Sequence, residues 1–235
     1  MWPARLRTGP ERLAGRAGWK AGSGRTARAV DLPKRCLDLV LTLALLLPGL
    51  PVLALVAALV RLSGPGPVLL RQVRVGRHEK PFAMFKLRTM HAGASDLALR
   101  EMNRRELRGE APPGTSDGVF KLQDDPRVTP VGRWLRRFSL DELPQLLNVL
   151  RGEMSLVGPR PSLPWEVELF TPDQRRRHEC LPGLTGLWQV SGRSRLSMPE
   201  MLALDLDYLN TRSLWLDLRI LAKTPALVLF DRSVR

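Results

Sequence analysis

A long apolar run near the amino terminus dominates the pattern of hydrophobic and polar positions. No charged residue interrupts it from Leu39 to Val60. At ~1.5 Å per residue, a helix over this run would be roughly 33 Å long, enough to cross the hydrocarbon layer of a bilayer. The pattern therefore predicts a membrane helix over residues 34–62.

Two features of this run favour a helix that bends and returns to the face from which it entered. Pro48, Gly49 and Pro51 lie near its middle, where proline removes helical hydrogen bonds and bends the axis. Basic residues, which favour the cytoplasmic face, flank both ends. They are Lys34 and Arg35 before the run, and Arg61, Arg71 and Arg74 after it. We predict a re-entrant helix–break–helix, with a kinked single-pass helix as the alternative.

Two short segments with alternating polarity follow a turn rich in proline and glycine. Residues 68–75 and 81–87 are predicted strands, and the turn at 76–80 between them predicts a small β-hairpin. Strand alternation places Lys86 and Arg88 on one side, where two cations could face a diphosphate. The alternative for this pair is a solvated strand face.

Helical patterns dominate the rest of the chain. Ser139 is a predicted N-cap with Glu142 at the third helical position, a capping box that would open a helix to Leu150. The segment 214–230 is apolar on one side but carries charges, so it predicts a helix on the membrane surface rather than a second span. Further helices are predicted at 91–108, 162–179 and 197–212.

The chain is strongly basic, with a net charge of +14, and its first 35 residues hold nine Lys or Arg against two acids. Such a charge indicates anionic partners, namely nucleic acid, anionic lipid or phosphorylated substrates. Nucleic-acid binding would explain the charge but not the apolar run, and the sequence contains no recognisable nucleic-acid-binding module. We therefore expect no nucleic-acid partner.

One stretch concentrates side chains that suit phosphate chemistry. Residues 136–161 place two adjacent carboxylates, Asp141 and Glu142, between Arg136 and Arg160. Aspartate is a competent nucleophile at phosphorus, carboxylates are hard ligands for Mg²⁺, and arginine forks suit phosphate oxygens. The simpler alternative is a pair of ordinary first-turn acids that suit the dipole of a capped helix.

Four strings in this region and around it resemble the signature blocks of the bacterial sugar transferase family, the monotopic polyprenol-phosphate phosphoglycosyl transferases. They are KLRTM at 86–90, SLDELPQ at 139–145, GEMSLVGPRP at 152–161 and PGLTGLWQVSGRS at 182–194. The chain departs from the family pattern at Leu47, where serine is common, and at Asp207, where an aromatic residue is common. Because no transmembrane segments precede the apolar run, the chain resembles a minimal form of the family.

The resemblance implies a reaction and the residues that carry it out. Asp141 would attack the sugar-linked β-phosphate of a UDP-sugar and release UMP, and undecaprenyl phosphate would then accept the phosphosugar. Glu142 would hold Mg²⁺ as the cofactor. The other implied substrate-binding residues are Lys86, Arg88, Arg136, Arg160, Arg193, Asp205 and Asp217, although structural ion pairs explain the two aspartates about equally well.

The same resemblance completes the predicted architecture. We expect an α+β, mostly helical, monotopic membrane protein with a re-entrant helix, a small β-hairpin and amphipathic interfacial helices. It would comprise a disordered basic arm (1–33), the membrane helix (34–62) and a catalytic domain with membrane-surface helices (63–235). This domain would lie on the cytoplasmic face of the bacterial inner membrane, in contact with lipid.

The sequence leaves three points open. The donor sugar could be glucose, galactose or an N-acetylated hexose. The region between Met90 and Phe120 resembles that of exopolysaccharide and capsule initiators, and this resemblance favours a hexose 1-phosphate. A homodimer is also open. A membrane-anchored scaffold without catalysis would explain the apolar run, but not the two carboxylates set between arginines.

Overall fold

The computed structural model describes residues 25–91, 100, 101, 104, 105, 110, 125–192 and 196–230. Within these residues the elements follow one another as α1 (Arg25–Leu62), β1 (Leu69–Val75), β2 (Pro81–Leu87), α2 (Pro130–Arg137), α3 (Leu146–Arg151), β3 (Ser155–Val157), α4 (Pro164–Leu169), α5 (Pro172–Arg175), β4 (Gly183–Thr185), α6 (Leu187–Ser191), α7 (Met198–Thr211) and α8 (Leu214–Phe230). Short 3₁₀ helices lie at Arg77–Glu79, Leu140–Gln145 and Arg176–Glu179. The predicted mostly helical α+β chain is confirmed. Most of the predicted basic arm and of the 91–108 helix lies outside the described residues.

The apolar run forms one continuous helix, α1. It begins at Arg25, inside the stretch predicted as a disordered arm, which agrees with the high helix propensity of alanine and arginine. The helix also runs through Pro48 and Pro51, so the predicted break is not a gap in the helix. Proline removes the hydrogen bonds of about one turn, and a helix can continue around that loss. The part from Leu32 to Leu62 is long and apolar enough to cross a membrane.

One stripe of α1 packs against the rest of the chain. Asp38, Thr42, Val56 and Val60 are buried at helical spacing. The other faces expose large apolar side chains, including Leu43, Leu45, Leu47, Leu50, Leu55 and Leu59. A helix of this composition with most of its apolar surface exposed fits a lipid environment better than water.

Both ends of α1 contact the same part of the protein. Near its start, Arg35 donates hydrogen bonds to the carbonyl oxygens of Val149 and Leu150, at 2.5 and 2.9 Å. Near its end, the Val60 carbonyl accepts a hydrogen bond of 2.8 Å from Arg88. The helix therefore lies along the domain rather than projecting away from it.

The predicted β-hairpin is confirmed. β1 and β2 pair antiparallel, from Leu69 opposite Leu87 to Val75 opposite Pro81. The first five residues of β1 are exposed, whereas the later part of β2 is mostly buried. β2 packs against the 3₁₀ helix Leu140–Gln145, so the hairpin presents its inner strand to the segment that carries the two adjacent carboxylates.

Glycines allow the backbone after β3 to approach the backbone of β4 closely. β3 and β4 form a parallel pair, and Gly158 donates from its backbone to the Thr185 carbonyl at 2.9 Å. A Cβ atom on Gly183 would lie 2.1 Å from the Gly158 nitrogen. Because real Cβ atoms do not come this close to backbone atoms, the contact requires glycine at position 183.

Asp217 joins α1, α7 and α8. Its Oδ2 lies 2.6 Å from Lys34 Nζ, and its Oδ1 accepts a hydrogen bond of 2.7 Å from the Tyr208 hydroxyl. The same hydroxyl lies 3.2 Å from the Val157 carbonyl. The carboxylate is buried, and its two partners compensate for the cost of burying its charge.

Candidate active site

Asp141 and Glu142 lie on a 3₁₀ helix, not on the predicted capped α-helix. Ser139 adopts a left-handed backbone conformation with φ 54°, and its side chain makes no capping hydrogen bond. The capping-box prediction is therefore wrong. The physical reason is Pro144, because an α-helix starting at position 140 would bring the proline ring against a carbonyl one turn earlier. The α-helix α3 starts only at Leu146.

Asp141 is buried and pairs with a lysine from β2. Lys86 Nζ lies 2.8 Å from Asp141 Oδ2, and the side-chain exposures are 25% for the lysine and 3% for the aspartate. A buried carboxylate needs such a partner, since burying an unpaired charge costs several kcal/mol. Within the part of the chain that the structure describes, Asp141 Oδ1 has no polar partner. One carboxylate oxygen is thus held by a cation and the other is available.

Arg136 approaches the same carboxylate from α2. Its Nε donates a hydrogen bond of 3.0 Å to Thr89 Oγ1. Burial lowers the pKa of Arg136, while the charges of Asp141 and Asp125 act in the opposite direction. Lys86 therefore pairs with Asp141, and Arg136 lies near enough for the charge of Asp141 to act on it.

Glu142 offers a second carboxylate that is only partly buried. Among the described residues its side chain makes no ion pair or hydrogen bond. Nor do those residues contain a group of three His, Cys, Asp or Glu that could hold a metal ion. Mg²⁺ often binds through one or two carboxylates together with substrate phosphates and water. The residues present therefore fit a magnesium ion that arrives with a diphosphate.

Asn148 also shapes the site, although the sequence pattern did not predict this. It is fully buried, and its Oδ1 accepts a hydrogen bond of 3.1 Å from the Phe85 backbone nitrogen. Its Nδ2 donates to the Ala83 carbonyl at 2.8 Å and to Glu153 Oε2 at 2.7 Å. These bonds fix β2 against α3 and so set the position of Lys86. The only sequence signal is an amide inside the otherwise apolar string LLNVL.

Arg160 lies on the loop that follows β3 and is exposed. Among the described residues its guanidinium makes no hydrogen bond or ion pair. Its charge nevertheless acts on two buried groups. Burial lowers the pKa of Arg74 to about 10, and the charge of Arg160 acts in the same direction. Burial raises the pKa of Asp205 to about 6, and the charges of Arg177 and Arg160 oppose this rise. The charge of Glu142 also acts on Arg74, so Arg160 and Glu142 both lie near Arg74.

The other sequence-predicted residues have different surroundings. Arg88 is buried, and its guanidinium donates to the carbonyls of Val60, Gly64 and Pro65 at 2.6 to 2.8 Å. These bonds hold the turn after α1, and a phosphate contact for Arg88 stays a prediction. Asp205 pairs with Arg177 at 2.5 Å, and Asp217 has the structural contacts given above. Arg193 lies outside the described residues.

His178 is a buried histidine near this loop, and we expect it to stay neutral in the folded protein. Its Nε2 lies 3.2 Å from Ser162 Oγ, and burial followed by the Arg177 charge lowers its pKa to about 3. In the unfolded chain the His178 imidazole would take up a proton near pH ~6.5. The free energy of unfolding therefore falls as the pH drops below that value. NMR of histidine-labelled protein should show no His178 titration between pH 5 and 8. A midpoint near pH 6 would contradict the burial argument.

Comparisons with known proteins agree on one family. The profile described as bacterial sugar transferase matches residues 29–231. The chain is 42% identical over 214 residues to the UDP-glucose:undecaprenyl-phosphate glucose-1-phosphate transferase of Caulobacter vibrioides, covering 87% of this chain and 73% of that protein. It is 42% identical over 203 residues to the exopolysaccharide production protein ExoY of Rhizobium meliloti, covering 86% and 87%. It is 39% identical over 206 residues to the galactosyl transferase CpsE of Streptococcus agalactiae, but spans only 44% of that protein's length.

Proposed function

Because this chain belongs to the bacterial sugar transferase family, we propose that it transfers a sugar 1-phosphate from a UDP-sugar to undecaprenyl phosphate and releases UMP. The family resemblance identified in the sequence is thereby confirmed. The observation that carries the proposed reaction is the buried Asp141–Lys86 pair, with one free carboxylate oxygen and Arg136 beside it. Such a site suits the attack of an anionic nucleophile on a negatively charged phosphate group, because cations beside the two groups reduce their repulsion.

In the first step, Asp141 Oδ1 forms a bond to the β-phosphorus of the UDP-sugar. The bond between that phosphorus and the bridging oxygen breaks, and UMP leaves with the oxygen and its electron pair. The products are UMP and a phosphosugar joined to Asp141 as an acyl phosphate. Lys86 and Arg136 would contact the oxygens around phosphorus as negative charge redistributes, which lowers the barrier to attack.

In the second step, a phosphate oxygen of undecaprenyl phosphate attacks the same phosphorus. The bond to Asp141 breaks, the free carboxylate is restored beside Lys86, and the product is undecaprenyl diphosphate sugar. Because the two substrates react in turn at one carboxylate, the kinetics should be of the ping-pong type. Transfer to undecaprenyl phosphate would be the first membrane step in making a polysaccharide such as an exopolysaccharide, a capsule or an O-antigen.

We propose that Glu142 holds Mg²⁺ when the UDP-sugar is bound. The ion would neutralise charge on the diphosphate. We expect chelation with EDTA to abolish UMP release, and we expect added Mg²⁺ to restore it. In a Glu142→Gln variant, the Mg²⁺ concentration for half-maximal activity should rise at least ~10-fold. An unchanged magnesium dependence in that variant would place the ion elsewhere.

The contacts of α1 support insertion from one membrane face. Both ends of this helix touch the same domain, whereas a helix that crosses the bilayer would leave only one end near a domain on the cytoplasmic face. We therefore propose a re-entrant α1, with the domain on the cytoplasmic face of the bacterial inner membrane. This arrangement keeps the site at the height of the lipid phosphate.

Thiol labelling tests the re-entrant arrangement. Cys36 is exposed near the start of α1, and Cys180 is buried, so a Ser63→Cys substitution adds one reactive thiol near the helix end. In inside-out vesicles an impermeant maleimide should label both Cys36 and the introduced cysteine. In right-side-out vesicles it should label neither. Labelling of the two thiols from opposite sides would show that the helix spans the membrane.

The proposed reaction is tested by measuring UMP release from a panel of UDP-sugars, using membrane-embedded protein with Mg²⁺ and undecaprenyl phosphate. We expect turnover with a hexose donor, because the related proteins named above include a glucose-1-phosphate transferase and a galactosyl transferase. The lipid product should appear in step with UMP. Absence of turnover with every UDP-hexose and UDP-N-acetylhexosamine by folded protein would contradict the proposed function.

A further inference from the structure

The loop that carries Arg160 has no regular secondary structure, yet three different parts of the chain hold it through four hydrogen bonds. Carbonyls of the four successive residues 159–162 accept hydrogen bonds. Their donors are the Gly183 nitrogen to Pro159 at 2.8 Å, Arg177 Nη2 to Arg160 at 2.8 Å, Arg74 Nη1 to Pro161 at 3.0 Å and the Val75 nitrogen to Ser162 at 2.9 Å. The loop is therefore held at every carbonyl.

Two of these four donors are buried arginine side chains. Arg74 is 7% exposed and Arg177 is 6% exposed. Burying a guanidinium is costly, and simpler donors could have satisfied two carbonyls. An arginine, however, carries several donors in a rigid fork, so it can bond a carbonyl and a second partner at fixed angles. For Arg74 the second partner is Gln72, which accepts a hydrogen bond of 2.8 Å. For Arg177 the second partner is the buried carboxylate of Asp205, in an ion pair that lacks hydrogen-bond geometry.

Arg160 combines a restricted backbone with an exposed side chain. Pro159 and Pro161 have fixed φ angles and no backbone N–H, so the backbone on either side of Arg160 is restricted. The Arg160 side chain itself is exposed, and within the described part of the chain it has no polar partner. A firmly held backbone thus carries an exposed guanidinium.

We infer that Arg74 and Arg177 are positioning residues, which hold the backbone at Arg160 so that its guanidinium meets the substrate phosphate in a fixed orientation. The inference rests on the proposed function, in which Arg160 contacts the diphosphate. Neither arginine would touch the substrate. Each would act through Arg160, and an error of ~1 Å in the placement of a group that contacts the reacting phosphate can cost about 100-fold in rate.

A double-mutant cycle distinguishes positioning from general stabilisation, because residues that act through a common group are not additive. The variants are Arg177→Lys, Arg160→Ala and the combination, assayed for UMP release with radiolabelled donor. Lysine keeps the positive charge beside Asp205, but it lacks the planar fork that fixes the direction of the bond to the Arg160 carbonyl. We expect Arg177→Lys to lower kcat/KM about 10- to 100-fold in the wild-type background. In the Arg160→Ala background we expect a loss of less than about 3-fold, since the group being positioned is already absent.

Arg74→Lys provides a second cycle if Arg177→Lys does not fold, since it leaves no carboxylate without its partner. The matched control is Arg176→Lys, an exposed neighbour, which should leave kcat/KM unchanged. Equal losses with and without Arg160, or no loss in either, would overturn the inference while the proposed function stands. A folded wild-type protein that releases no UMP would instead remove the proposed function and the premise of the inference with it.

Discussion

Replacing Asp141 with asparagine is expected to lower UMP release by about 10⁴-fold or more, because an amide cannot form the acyl phosphate and the other groups of the site cannot replace it. The substitution keeps the shape of the side chain. It removes the negative charge that pairs with Lys86 at 2.8 Å, but Lys86 remains 25% exposed and can reach water. The folded structure should therefore survive the change.

The covalent step can be measured separately from turnover. With UDP-sugar and Mg²⁺ but no undecaprenyl phosphate, the wild-type protein should release up to one equivalent of UMP per active site. It should also retain the labelled phosphosugar after denaturation. Asp141→Asn should do neither, while the matched exposed substitution Asp207→Asn should behave as wild type. Undiminished release of UMP by Asp141→Asn would exclude the nucleophilic role.

Replacing Gly183 with alanine is expected to produce a large loss of stability. The new Cβ atom would lie 2.1 Å from the Gly158 nitrogen and 2.4 Å from the Thr185 carbonyl oxygen. Both neighbours are backbone atoms, so β3 and β4 must separate to admit it. Overpacking of this kind typically costs about 3 kcal/mol, which corresponds to a fall of about 10 °C in the unfolding temperature.

Gly49→Ala is the matched control for Gly183→Ala. Nothing lies within 4 Å of a Cβ atom at Gly49, and alanine favours a helix more than glycine does. The unfolding temperature of this variant should therefore be unchanged or slightly higher. Because the Arg160 loop is bonded to the Gly183 nitrogen at 2.8 Å, we also expect Gly183→Ala to lose activity below its unfolding temperature. Equal unfolding temperatures for the two variants would mean that the backbones at Gly158 and Gly183 can separate without loss of stability.

The elements with a clear local signal were predictable from the sequence. The uninterrupted apolar run indicated α1, and alternating polarity on either side of a turn indicated β1 and β2. In both cases the pattern needs only a few neighbouring residues. The string SLDELPQ also drew attention to Asp141 and Glu142, through its resemblance to the family signature rather than through the two acids alone, and their catalytic roles remain predictions.

The features that depend on distant partners could not be predicted. The 3₁₀ helix in place of the capping box is a partial exception, because Pro144 lies in the same string as the motif S-x-x-E and only the packing against β2 is distant. Arg88 follows the strand pattern of Lys86, yet its guanidinium bonds carbonyls more than 20 positions earlier in the chain. Asn148 lies in an apolar string and bonds β2 from a distance of more than 60 positions. Sequence spacing contains no information about these partners.

The bonds made by the start of α1 have a consequence for how the protein must be assembled. Lys34 and Arg35 leave the ribosome early, but Asp217 follows Lys34 by 183 positions and the Val149 carbonyl follows Arg35 by 114. The helix can enter lipid at once, whereas its polar contacts must wait until most of the chain has been made. Cutting away α1 would leave the buried Asp217 without its lysine. The helix is thus part of the folded domain, and a water-soluble enzyme cannot be made by simply removing it.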